Sequence, residues 1–204
     1  NTVIEFVDIA GLVKGASSGE GLGNQFLSHI RDVDAIIHVV RLFIDENVSH
    51  VEGSINPIRD IEIIETELLL KDILSIEKHI EKLEKLSRSG DKEAILTLKL
   101  LTKILPKMNQ GELVHNLFLE DEEKKRIKYL ALLTDKPIMY LANIDEKEVA
   151  LNKETDNIKL LDKYAKENYS TVVPICGNLE YEISLLDDDE KLQYLKEFNL
   201  SEPS

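Results

Sequence analysis

A short apolar run, Val3–Val7 with Glu5 inside it, ends in Asp8, and glycines come after it at positions 11, 15, 19, 21 and 23. The run predicts a buried strand, and the glycines predict a pliable segment at its carboxyl end. Open α/β sheets place their ligands at that end of the strands. An acid there can hold a metal-bound water, and the Gly11 N–H can approach a terminal phosphate because no side chain stands in the way. Asp-x-x-Gly taken alone is mostly a turn, so Asp8 and Gly11 gain meaning only from the longer run of residues around them.

The rest of the chain alternates in a way that suits such a sheet. Residues 24–34 predict a helix, with Phe26, Leu27, Ile30 and Val33 on one face. Ala35–Val40 is a β-branched run that predicts a strand buried on both faces. His38 interrupts it and reads as a core or edge histidine. A polar loop, residues 42–57, carries His50. Pro57 then opens a long helix, with Asn56 as its N-cap. That helix extends to about Arg88, and Ile73, Ile76, Ile80 and Leu83 step by 3, 4 and 3, the spacing of a coiled-coil seam. Ser89-Gly90-Asp91 predicts a reversal. A second helix from Lys92 would turn Ile95, Leu98, Leu101 or Thr102, and Leu105 inward, with a bend or break at Pro106. A helix over 120–133 leads to a strand at Ile138–Ala142. A helix over 156–168, a strand at Thr171–Ile175 and a terminal helix over 187–198 complete the series. The fold class is α/β, with an antiparallel helical coiled-coil hairpin inserted in the sheet: residues 1–57 and 136–204 make the sheet domain and 58–135 the insertion.

The formal charge of −14, from 25 basic and 39 acidic side chains, opposes non-specific adhesion to nucleic acid or anionic membrane. The basic side chains cluster, however. Residues 77–107 hold Lys78, Lys82, Lys85, Arg88, Lys92, Lys99, Lys103 and Lys107, so a polyanionic partner would meet the middle of the chain. The single cysteine, Cys176, leaves no internal disulfide, and the sequence shows neither a membrane-length apolar run nor a signal-peptide pattern. These features together suit a cytoplasmic protein without a membrane or disulfide partner.

Asn143-Ile144-Asp145-Glu146 comes directly after an apolar strand. An amide at that terminus can pair with a purine N7, and Glu146 can accept from donors on a base edge. Such a pair means little in an arbitrary loop, but it gains weight from its place behind Asp8 in chain order.

The run Asp8-Ile9-Ala10-Gly11-Leu12-Val13-Lys14-Gly15-Ala16, continuing through Gly19-Glu20-Gly21-Leu22-Gly23-Asn24-Gln25-Phe26-Leu27, closely resembles the switch II segment of the Obg-related P-loop NTPases, and among these the YchF family of Obg-like ATPases. Ile36–Arg41, Asn56–Glu62, Ala142–Glu146 and Val173–Cys176 extend the resemblance over essentially the whole chain. It implies an incomplete P-loop NTPase sheet, Mg²⁺ held through water by Asp8, and ATP rather than GTP as the nucleotide. Guanine-specific proteins carry N-K-x-D where this chain has Asn143, Ile144 and Glu146; Ile144 takes the place of the lysine that stacks on the base. The turn at Cys176 and Gly177 lies beside the base in family members. Leu12 stands where Ras-like GTPases carry the glutamine that orients water, a task leucine cannot perform. His50 is the matching candidate for that role.

The sequence contains no G-x-x-x-x-G-K-[ST]. In the family, that phosphate-binding loop precedes the first strand and a β-grasp domain closes the chain. Both are expected as missing segments of a longer parent, with these 204 residues inactive alone. The ribosome or RNA, met through the helical arm, is the implied partner. Two other readings stand beside this one: a non-catalytic coiled-coil interaction module, and a guanine-specific GTPase.

Overall fold

Among the described residues, three strands make the sheet, in the order β1-β2-β3. The computed structural model describes residues 3–9, 22–43, 55–151, 155–198 and 200. In chain order these form α1 (Leu22–Asp32), β1 (Ile36–Arg41), α2 (Pro57–Ser87), α3 (Lys92–Met108), α4 (Asp121–Ile127), β2 (Ile138–Asn143), α5 (Glu146–Leu151), α6 (Asp156–Glu167), β3 (Thr171–Ile175), α7 (Gly177–Leu185) and α8 (Asp188–Glu197). Tight 3₁₀ turns occupy Val114–Asn116, Lys128–Leu130 and Leu133–Asp135. The chain divides into two units. One comprises residues 1–36 and 62–137, the other residues 37–61 and 138–204.

In the sheet unit, β2 and β3 run parallel, with Tyr140 opposite Val172 and Asn143 opposite Ile175. β1 is parallel to β2 as well: Ile36 N–H donates to Pro137 O and Leu42 N–H to Asn143 O, each at 2.9 Å. Alternation then sends Val40, Tyr140 and Ala142 into a core with Leu161 and Ala165 of α6, Leu179 and Ile183 of α7, and Ile61 of α2. His38 enters the same face, its ring 6.0 Å from that of Tyr140. The expectation of a β1 buried on both faces is corrected here. Val39 is 58% exposed and Ile37 is also exposed: the run is apolar throughout, but among the described residues only the face carrying Val40 is packed.

The long helix α2 starts in the sheet unit and continues in the helical one, and it begins as its sequence dictates. Asn56 Oδ1 accepts from Arg59 N–H at 3.1 Å. Gly90 ends the turn after α2 at φ +83°, a left-handed conformation that favours glycine, and Asp91 caps α3 by accepting from Ala94 N–H at 3.0 Å. Ile76 is fully buried, and Ile73, Ile80 and Leu83 are partly buried against the same core. The α3 face differs from expectation by one position: Ala94, Thr97, Leu101, Ile104 and Met108 are inside while Ile95 is exposed. α3 is apolar around most of its circumference, and its orientation comes from sharing a core with Leu113, Val114, Leu117, Leu119 and Ile127 of the return segment. Thr97 is tolerated inside because its hydroxyl donates to Glu93 O. Pro106 falls in the last turn of α3, which ends two residues later.

Two more expectations give way. The helix over 120–133 stops at Ile127, where the chain tightens into the 3₁₀ turn Lys128–Leu130, and Ala131 then takes a left-handed φ of +46°. Residues 3–9 form no strand. Val3, Ile4, Phe6 and Val7 are exposed, and only Ile9 reaches the small core of Leu27, Ile30, Leu68 and Leu133. A strand is stable through ladder bonds to a neighbour, and none of the three described strands pairs with this run.

A buried polar node closes the helical unit. Asp72 of α2, 0% exposed, accepts from Leu133 N–H (2.9 Å), Thr134 N–H (2.8 Å) and the Thr134 hydroxyl (2.8 Å). Thr134 Oγ1 in turn accepts from Val114 N–H at 3.3 Å, and His115 Nδ1–H donates to Thr134 O at 2.9 Å. Burial pushes the Asp72 carboxyl up, and those hydrogen bonds pull it partly back.

Candidate functional site at the carboxyl ends of the strands

Parallel strands ending at one level leave a rim of backbone groups without ladder partners, and side chains from the adjoining turns fill it. Asn143 is the last residue of β2. Its backbone is held on both sides: its C=O accepts from Leu42 N–H at 2.9 Å, and the next N–H, that of Ile144, donates to Ile175 O at 2.8 Å. Its side chain is held too, because Oδ1 accepts from Gly177 N–H at 3.2 Å.

Each residue after Asn143 takes a separate task. Ile144 is 8% exposed and packs into the sheet-unit core, so its side chain is withdrawn from the rim. It lines an open groove of about 870 Å³ together with Val149, Ile158, Val172, Cys176 and Leu179, a lining that excludes Asn143, Glu146 and Gly177. Asp145 caps α5: its Oδ1 accepts from Lys147 N–H at 2.9 Å, while Glu148 reaches back to Asp145 N–H at 3.3 Å. With Asp145 so engaged, Glu146 is the rim's available carboxylate. It lies close enough to Cys176 for its charge to act on the thiol.

Cys176 sits between β3 and α7 with extended backbone, φ −107° and ψ 101°, and its side chain is buried. Burial pushes the thiol up, with the Glu146 and Asp145 charges adding to it. A thiol so placed is a packing group rather than a nucleophile. Gly177 begins α7, so the amino end of a nine-residue helix faces the same rim.

The structure therefore brings together Asn143, Glu146, Cys176 and Gly177, and turns Ile144 inward. Asp8 is exposed and lies in the irregular stretch 3–9 of the other unit. Gly11, Leu12 and His50 lie outside the described residues. Among the described residues, no group of three or more His, Cys, Asp and Glu side chains is placed to hold a metal ion. The bond between Gly177 N–H and Asn143 was not foreseen from sequence, because no pattern links two residues 34 positions apart. The D-x-x-E cap at 145–148, by contrast, was readable and marks the start of α5.

A parallel sheet that carries an amide, a carboxylate and a helix amino end along one rim is an α/β arrangement of the kind that places ligands at the carboxyl ends of its strands. A family model described as 50S ribosome-binding GTPase matches residues 1–103. The chain is 44% identical over 201 residues to the ribosome-binding ATPase YchF of Bacillus subtilis (strain 168), covering 98% of this chain and 55% of the relative. It is 46% identical over 202 residues to the ribosome-binding ATPase YchF of Escherichia coli O157:H7, covering 99% and 55%. The solved structure of the Schizosaccharomyces pombe YchF GTPase superposes with a TM-score of 0.77 at 33% identity, covering 90% of this chain and 50% of that one. The chain thus belongs to the YchF family of Obg-related P-loop NTPases, and it spans about half the length of the relatives it matches.

Proposed function

We propose that this chain supplies the base-recognition rim, the switch segment and the helical arm of a nucleoside triphosphatase that prefers ATP to GTP. The observation that carries this is the rim itself. Asn143 is fixed at the end of β2, with Glu146 as the available carboxylate beside it. The lysine that would stack on guanine is replaced by Ile144, which is buried, and this supports ATP over the guanine-specific alternative.

In this reading Asp8 holds Mg²⁺ through water, and Gly11 contacts the γ-phosphate. His50 orients the attacking water in place of the glutamine that Leu12 replaces. Bound Mg²⁺ supplies neutralisation of charge on the phosphate oxygens. The rim residues bind and orient the base. The names of the relatives support a ribosome-associated, cytoplasmic role, with the basic stretch 77–107 on α2 and α3 as the contact. A helical unit with its own buried core also suits a purely interaction-bearing module, the second reading.

Equilibrium binding of ATP and GTP with Mg²⁺ separates these readings. It should be run on the 204-residue chain and on a chain extended to the length of its relatives. The extended chain is expected to bind ATP well above GTP and the shorter chain neither, since the sequence lacks the Gly-rich lysine loop that cradles β- and γ-phosphates. Preference for GTP overturns the base assignment. No binding by either chain leaves the helical unit as the functional part.

A further inference from the structure

The first N–H groups of a helix have no acceptor within it. Gly177, first in α7, finds one outside, at Asn143 Oδ1, 3.2 Å away. Only the oxygen of a side-chain amide can accept from an N–H, so this bond decides which way the Asn143 amide faces. Oδ1 is turned to α7, and Nδ2, which carries two donor hydrogens, is left for whatever lies beyond the strand end. The backbone of Asn143 is already held by Leu42 and, through Ile144, by Ile175, so the side-chain torsions are the remaining freedom and Gly177 removes it.

We propose that the Gly177 backbone N–H is a positioning group for base recognition: it locks the Asn143 amide with Nδ2 presented to the N7 acceptor of a purine. This rests on the reading of the rim as the base site and assigns one part of it. N7 is an acceptor in both adenine and guanine. The lock therefore selects purine from pyrimidine and leaves discrimination between the two purines to Glu146.

A backbone donor can be removed cleanly here. Proline is favoured at the first position of a helix, and the extended backbone of Cys176 suits a residue that precedes proline. Gly177→Pro deletes the N–H, whereas Gly177→Ala keeps it; the added Cβ meets Asn143 Oδ1 at 3.5 Å, an ordinary contact. The readout is the ratio of Kd for 7-deaza-ATP to Kd for ATP, measured on the chain extended to the length of its relatives. A single hydrogen bond corresponds to a ratio of about 3 to 10. Wild type and Gly177→Ala should show that ratio, and Gly177→Pro a ratio of about 1. Equal binding of the two nucleotides by wild type overturns the N7 reading on which the lock depends. A full ratio in Gly177→Pro overturns the lock and leaves the rim's assignment standing. Should Gly177→Pro not fold, amide exchange on the 204-residue chain decides. Gly177 should be protected in wild type and lose protection in Asn143→Ala, since no helical acceptor competes for that N–H. An unprotected Gly177, or protection indifferent to Asn143→Ala, overturns the proposal.

Discussion

Removing the Asp72 carboxylate should destabilise the helical unit by about 3 kcal/mol at neutral pH. Asp72→Ala strands three buried donors at once, the N–H groups of Leu133 and Thr134 and the Thr134 hydroxyl. Each orphaned donor costs about 1–3 kcal/mol, the low end applying where water can enter the space left by the carboxylate. Against this stands relief from burying a charge, since burial holds the carboxyl above its ordinary value despite three hydrogen bonds. Three donors at about 1 kcal/mol each is the net after that offset, and in a chain of this size it corresponds to a melting-temperature drop of roughly 6–12 °C. Asp72→Asn keeps one oxygen for two of the donors and turns an NH₂ toward the third, so its loss should be about half as large. The pH dependence has a definite sign. Below the ordinary carboxyl pKa of 3.8 both folded and unfolded states hold the proton. As pH rises through the raised folded value, the native state must ionise a buried group, and wild type loses stability that Asp72→Ala does not. The cost of the substitution should therefore shrink from acid toward neutral pH. Thermal and urea unfolding, monitored by helical circular dichroism at several pH values, is the assay. An Asp72→Ala protein melting within about 2 °C of wild type at neutral pH would refute the reasoning, because a node worth nothing cannot be holding three donors.

In the extended chain, His50→Ala should lower ATP hydrolysis about 100-fold or more with ATP affinity little changed, as loss of a proton-accepting or water-orienting group does; an unaltered rate excludes the residue from that role. Gly90→Ala meets open space but a left-handed backbone, so it should cost about 1 kcal/mol in unfolding experiments, and a neutral result would mean the turn re-forms without that geometry. Burial lowers His38 from 6.5 to about 4, against the pull of Asp60. The unfolded chain then binds a proton across that window while the native chain does not, so stability should fall as pH drops from 6.5 toward 4; His38→Gln should flatten the fall, and equal slopes would contradict it.

The order of helices and strands from residue 22 onward was largely legible in the sequence, because it is written in local signals. The apolar run at 138–142, the cap at Asn56 and the glycine at 90 each act within a few residues. What was not legible depends on neighbours. The buried face of α3 includes Ala94 and Thr97, small residues that carry little apolar signal, and was settled by the return segment packed against it. The Val3–Val7 run had every local mark of a strand and lacked only a partner. At the rim, Asn143 and Glu146 are legible as candidates from residue type and position after a strand. Ile144 was placed beside the base, though alternation and the apolar core draw it inward. Asp72 lies on the stripe between Leu69 and Ile76, and an acid on an apolar stripe was the readable sign of the buried node.

Ile36, the first residue of β1, donates its N–H to Pro137 O just before β2, so β1 and the long excursion that follows it lie within one loop closed by that contact. Closing a loop of about a hundred residues by chance encounter is slow, because the entropic cost is met before any contact rewards it. Within that loop, however, α2 and α3 are joined by a four-residue turn, and their contacts are local. Helix pairs of this kind form early and quickly, and they shorten the effective distance between the segments that flank them. The sheet should then assemble late in folding, with β2 joining β1 only after the helical unit has closed. Substitutions at Ile76 or Leu101 would slow refolding of the whole chain, whereas substitutions at Tyr140 would mainly speed its unfolding.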